Sequence, residues 1–241
     1  MATTPRVRTR IGWHELVAPD VERAEVFYSE LFRWTLRVWR PGTHDYAMIH
    51  SGGADHGGFL RQDVEPHWLV YVEVQDADEA AAQAEKVGGR LVAGPVELPR
   101  VGRYVVLADP EGAEIVAIAV EEPGSPPAGV FVWDELLAAD PHAAARFYGR
   151  VFGWTVEGTA GGDARFCSGG VPVGGLARKP PGARASTWLS YLRAGRLEPA
   201  VERAERLGAL TTLQPAELPG VGRAAVLIDA VGAPFGLLES D

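Results

Sequence analysis

The alternation of apolar and polar positions predicts short strands and short helices in a fixed order. From Gly12 to Ala18 the pattern has period two, with Trp13, Glu15 and Val17 on one face and His14 and Leu16 on the other. Asp20 then stands where a helix N-cap belongs, and Val21, Ala24, Phe27, Tyr28 and Leu31 share one stripe of a helix over 21–32. A helix of about three turns is marginal alone, so that stripe must dock on the sheet made by the flanking strands. Strand-like runs follow at 35–40, 45–50 and 57–61, separated by Pro41-Gly42 and Ser51-Gly52-Gly53. A second unit of the same grammar starts with an apolar strand over 67–74. Its helix opens on Asp76 and Glu79 at capping-box spacing and stops at Gly88-Gly89. Further strands are predicted at 90–93, 102–108 and 113–120, the last two joined by Asp109-Pro110-Glu111-Gly112.

The whole pattern then recurs. Trp13-His14-Glu15-Leu16 returns as Trp133-Asp134-Glu135-Leu136, Phe27-Tyr28 as Phe147-Tyr148, and Val101-Gly102-Arg103 as Val221-Gly222-Arg223, each offset by 120 positions. A period that long, met twice, indicates tandem duplication rather than a solenoid. The second copy reads as a strand over 130–138, a helix capped at Asp140 with Pro141 at its first position, and three strands up to Ala177. A strand from Thr187, a helix closed at Gly208 and the turn Asp229-Ala230-Val231-Gly232 complete it. The stretch 121–129, rich in Pro and Gly, suits an extended linker, which sets domains at 8–120 and 129–241. The fold class is α+β, with four βαβββ units.

Composition narrows the function classes. The 46% hydrophobic and 23% charged residues are those of an ordinary globular protein, and no apolar run is long enough for a membrane span. A net charge of −9 argues against nucleic-acid binding, which needs clustered Lys and Arg to neutralise phosphates. One cysteine, Cys167, excludes an intrachain disulfide and a cysteine-based zinc site. The first ten residues carry arginines with no apolar run behind them, so no signal peptide is predicted and the cytoplasm is the expected location.

Strand, Asp-capped helix with Phe-Tyr, a Phe-x-Trp-Thr strand entry and a final Asp-Pro-x-Gly hairpin resemble the vicinal oxygen chelate superfamily, which includes glyoxalase I, bleomycin-resistance proteins and extradiol dioxygenases. The Trp-x-Glu-Leu opening and the duplication are most similar to its two-domain glyoxalase-like and hydroxylase-type proteins. The resemblance implies tandem glyoxalase-like domains whose paired modules form curved mixed sheets around cavities. In metalloenzymes of that superfamily His and Glu ligands sit on the first and last strands of a module. Carried over by position, those sites fall at Trp13 and Trp133, at Val70 and Ser190, and at Val116 and Gly236. None of these supplies an imidazole or carboxylate, so no metal and no cofactor are expected, although His14, His44, His50, His56 and His67 gather in the first half.

Within that frame Glu15 and Glu135 are inward carboxylates beside indoles, suited to acid-base work or to accepting from a ligand. The favoured reading is a structural hydrogen bond to a buried amide or to the indole of Trp34 or Trp154, because the same Glu stands in both copies while its neighbours differ. Of seven tryptophans, Trp13, Trp133, Trp68 and Trp188 share the parity of the ligand positions and are candidates to stack on a planar ligand; Trp39 has no counterpart. Specificity is sought where the copies differ: Tyr46 against Asp163, Met48 against Arg165, His50 against Cys167. His50 is a candidate proton shuttle, with partly exposed strand residues as the plainer reading. Arg103 and Arg223 enter hairpins and read first as structural. The expected function is metal-independent binding of a small aromatic or polycyclic metabolite, with resistance by sequestration as one form. The alternative is a cofactorless or unusual enzyme, of hydroxylase, lyase or isomerase type, in secondary metabolism or aldehyde detoxification, with Glu15 or His50 as base. A glyoxalase-type lyase with displaced metal ligands is a third reading. The expected partner is a small-molecule ligand, with no nucleic acid and no membrane, on a monomer or homodimer.

Overall fold

A computed structural model describes residues 9–40, 46–122, 129–158, 164–183 and 185–240. Most of the predicted linker, the Pro41-Gly42 turn, His44, the first residue of the 45–50 strand and Asp163 lie outside them. The first half runs β1 (Arg10–Ala18), α1 (Val21–Phe32), β2 (Thr35–Trp39), β3 (Tyr46–Ser51) and β4 (Ala54–Arg61), then β5 (His67–Glu73), α2 (Ala77–Lys86), β6 (Arg90–Leu98), β7 (Gly102–Ala108) and β8 (Glu114–Val120). The second half repeats it: β9 (Phe131–Ala138), α3 (Pro141–Phe152), β10 (Thr155–Gly158), β11 (Ala164–Ser168) and β12 (Val171–Arg178). Its second module is β13 (Thr187–Gly195), α4 (Leu197–Arg206), β14 (Leu210–Leu218), β15 (Gly222–Ile228) and β16 (Pro234–Glu239).

Each half forms one mixed sheet of eight strands, ordered β2-β3-β4-β1-β5-β8-β7-β6 in the first and likewise in the second. The two modules of a half therefore join edge to edge through the antiparallel pair β1 and β5, or β9 and β13. Helix starts follow the predicted caps: the Asp20, Asp76 and Asp140 side chains accept from backbone amides of the first turn. Only α4 begins without such a cap, at Arg196. β6 continues to Leu98, beyond the predicted stop at Ala93, because its pairing with β7 absorbs Gly94-Pro95 as an irregularity in register.

Alternation gives each sheet two faces with different tasks. One face of the first sheet, with Leu16 and Trp68, packs with α1 against α4, β15 and β16 of the second half. The reciprocal core joins Val70, Val72, α2, β7 and β8 to α3, β9, β11 and β12. Each helix layer is thus shared between halves. The repeated motifs make the joint: the Tyr28 hydroxyl donates to Asp229 at 2.9 Å and accepts from the Trp68 indole at 3.0 Å. Its counterpart Tyr148 donates to Asp109 at 3.2 Å and accepts from Trp188 at 3.0 Å. Asp109 and Asp229 use their other oxygen to close the hairpin turns, so the Asp-x-x-Gly motif serves turn and interface together.

At the seam His14 meets Asp134, with Nε2 2.9 Å from the carboxylate, and stacks on Phe131 at 3.8 Å. These are equivalent positions of the repeat. Equivalent residues of two copies can touch only where the axis relating the copies passes. Ser190 donates to the same carboxylate at 2.7 Å.

Candidate functional site

The opposite, concave face of the first sheet encloses a cavity of about 420 Å3 to which all eight strands contribute. Its size fits a small organic ligand. Trp13 and Glu15 come from β1, Tyr46 and Met48 from β3, Tyr71 from β5 and Tyr104 from β7, with Trp39 of β2 on one wall. Trp39 and Tyr46 meet edge to face, with ring centroids 6.1 Å apart. Aliphatic side chains of β4, β6 and β8 fill the remaining wall.

At its floor Glu15 is 6% exposed and accepts from the Tyr71 hydroxyl at 2.8 Å and from the Tyr46 hydroxyl. The Trp13 indole donates to the Tyr46 hydroxyl at 3.2 Å, so it backs one of the two tyrosines that reach the carboxylate. Two local features build this. β1 and β5 pair with Trp13 opposite Tyr71, and Glu15 lies opposite Gly58 of β4. A Cβ on Gly58 would collide with the Tyr46 ring and hydroxyl, so only glycine lets Tyr46 cross the sheet to Glu15. Burial pushes the Glu15 carboxyl above its ordinary range, and the tyrosine hydrogen bonds pull partly back. Desolvation, then the charge of Glu15, holds the Tyr46 and Tyr71 hydroxyls protonated well beyond neutrality. A buried carboxylate that receives two hydroxyls can accept a proton or bind a ligand's donor.

The structure brings Trp13, Glu15, Tyr46 and Met48 together in this cavity, while His50 stands behind it, its Nδ1 2.7 Å from Asp55, whose carboxylate reaches the cavity. Val116 lies on the same concave side in the apolar layer with Leu69 and Tyr71. Trp68 and Val70 do not line the cavity. Tyr71 lines it and Leu69 lies in the same layer, so by strand alternation their neighbours point into the helix layer, one residue of register reversing the face. Trp188 and Ser190 are displaced in the same way, Trp188 into the shared core and Ser190 onto Asp134. Glu15 takes tyrosines, and not the Trp34 indole, because Trp34 stacks on Tyr28 on the other side of the sheet, 5.6 Å between centroids. Sequence reasoning passed over Tyr71, Tyr104, Glu73 and Asp55. Tyr71 could have been found by counting cavity parity across the β1 and β5 pairing from Trp13.

The concave face of the second half is built differently. Glu135 accepts from Tyr191 at 3.1 Å, as Glu15 does from Tyr71, and Trp133 stands in the same apolar layer. Yet Gly236 replaces Val116, and the Tyr191 ring lies where a Cβ on Gly236 would be. Arg165 pairs with Glu157 at 3.4 Å, and Cys167 is buried, its thiol pushed up by burial and by the neighbouring Glu157 carboxylate. Arg103 and Arg223 form surface ion pairs, with Asp78 and Glu97 and with Glu198 and Glu239.

A divalent metal of the kind the superfamily uses needs three or four converging N, O or S donors. Among the described residues the first cavity offers one carboxylate without a basic partner, Glu15, and no imidazole lines it; Glu73 is taken by Arg10 and Asp55 by His50. His56 bonds the Ser51 carbonyl and His67 that of Glu65, so the described histidines of the first half disperse. Among the described residues no three His, Cys, Asp or Glu side chains form a metal-binding group, and the cavity residues do not fit a metal ion. No described helix is long and apolar enough to cross a membrane.

Comparison with known proteins agrees with this architecture. The family model described as "Glyoxalase-like domain" matches twice, over residues 14–118 and 131–238. "Anthracycline biosynthesis protein DnrV" of Streptomyces peucetius is 30% identical, over 95% of this chain and 92% of that one. "Putative glyoxylase CFP32" of Mycobacterium tuberculosis is 28% identical, over 95% and 94%. Among solved structures, the 2,2',3-trihydroxybiphenyl 1,2-dioxygenase of Sphingomonas wittichii superposes with a TM-score of 0.67 at 15% identity, covering 97% of this chain and 91% of that one. The Mn(II)-bound glyoxalase of Novosphingobium aromaticivorans gives 0.63 at 15%, covering 97% and 82%. At such identities the structures share the fold.

Proposed function

The chain belongs to the glyoxalase-like domain family, and from that premise we propose that its first half binds a planar aromatic or polycyclic small molecule, without a metal, in the cavity floored by Glu15. The observation that carries the reading is the cavity itself: about 420 Å3, walled by Trp13, Trp39, Tyr46 and Tyr104, with a single buried hydrogen-bonding carboxylate at its base. Aromatic walls supply area and stacking while one polar group sets orientation, which is how small-molecule pockets combine affinity with specificity. Relatives named for anthracycline biosynthesis fit a polycyclic ligand. Held without turnover, such a ligand would be sequestered.

A second reading, an enzyme with Glu15 as general base, is favoured by the raised affinity of that carboxyl for a proton. One experiment separates the two. Titration with a panel of planar quinones and phenols should quench tryptophan fluorescence, and Trp13→Phe should remove much of the quenching. Absence of any response across the panel would defeat the binding proposal. Chemical conversion of a bound compound, lost in Glu15→Gln while binding persists, would establish the second reading instead.

A further inference from the structure

We propose that the ligand of the first-half cavity is a cation, a planar aromatic carrying a protonated amine, and that Glu15 is the group that receives the charge. This rests on the cavity being a ligand site, as proposed above.

The lining carries three carboxylates, Glu15, Asp55 and Glu73, and among the described residues no Lys, Arg or His. Two of the three are already matched by cations outside the lining. Glu73 takes Arg10 at 2.8 Å, and Asp55 takes His50 at 2.7 Å and Arg37 at 3.5 Å. Glu15 meets tyrosine hydroxyls only, at the most buried point of the cavity. An anionic ligand there would bring a second negative charge into a low-dielectric floor that holds no counter-charge. An ammonium group does the reverse, because it offsets the burial that disfavours the bare carboxylate. The walls are compatible with this, since Trp13, Trp39, Tyr46 and Tyr104 line the cavity and an aromatic ring attracts a cation placed over its face. The net charge of −9 favours the approach of a cation as well.

Three probes with one ring system test the charge alone: 9-aminoacridine, protonated near neutrality; acridine, uncharged above neutrality; and acridine-9-carboxylate, an anion. Calorimetric titration of the full chain, in salt high enough to screen exposed charges, should rank them in that order. We expect the amine to bind at least about tenfold more tightly than acridine, a difference of about 1.4 kcal/mol. Glu15→Gln, checked for folding by circular dichroism, should shrink the preference for the amine over acridine, both measured on the variant, to about threefold or less. Equal affinity for amine and acridine on the unaltered protein overturns the charge assignment and leaves the aromatic site standing. So does a preference that survives Glu15→Gln. Failure of all three probes to bind overturns the ligand site, and the charge assignment with it.

Discussion

At the scale of single residues, Glu15 concentrates the chemistry of the first half. The carboxyl is held above its ordinary range by burial, so the native state binds its proton more tightly than the unfolded chain, where the value is about 4.3. The stabilisation that follows is complete below the unfolded value and is lost as pH rises through the raised one. Urea midpoints should therefore fall as pH rises above the unfolded value, and the fall should be shallower in Glu15→Gln. Some slope will remain, because burial also raises Asp109 and Asp229. Identical slopes in the two proteins would show that Glu15 does not contribute. Alternation along β1 put Glu15 on one face with Trp13 and Val17, and the resemblance to the superfamily made that face the inward one. The partners of Glu15 were not legible, because Tyr46 and Tyr71 lie on β3 and β5, and strand pairing across a sheet leaves no local pattern in the chain.

At the scale of elements, the approach of β3, β4 and β1 depends on Gly58. Its side-chain-free surface is what Tyr46 occupies, so Gly58→Ala should displace that tyrosine, cost about 1–3 kcal/mol in stability and weaken ligand binding. A crystal structure of the variant with Tyr46 still on Glu15 would contradict this. Element boundaries were readable where chemistry punctuates them: Asp caps opened three helices, and Gly88 and Gly208 follow the ends of α2 and α4. They failed where tertiary pairing overrides punctuation, as in β6 running through Gly94-Pro95. The faces of β5 and β13 were also misassigned, since Trp68 and Trp188 belong to the helix layer. A buried strand is apolar on both sides, so composition alone does not say which side holds the cavity.

At the scale of the whole molecule, the duplication describes the chain better as two shared cores than as two separate bodies. Each core takes one helix from each half, and the Tyr28 and Tyr148 hydroxyls tie each half to a turn of the other. Calorimetric unfolding should accordingly show one transition, with calorimetric and van't Hoff enthalpies in agreement. Two resolved transitions would mean that the halves melt independently. The duplication and four βαβββ modules were plain in the sequence; the meeting of α1 with α4 and of α2 with α3 between halves was not, because an apolar stripe does not say what covers the helix on its far side. A protein made of one half alone would leave its share of both helix layers uncovered. Because one chain carries both copies, equivalent positions are free to differ where they meet: one position at the axis is His14 and its twin Asp134, a pairing that no symmetric assembly of identical subunits can hold.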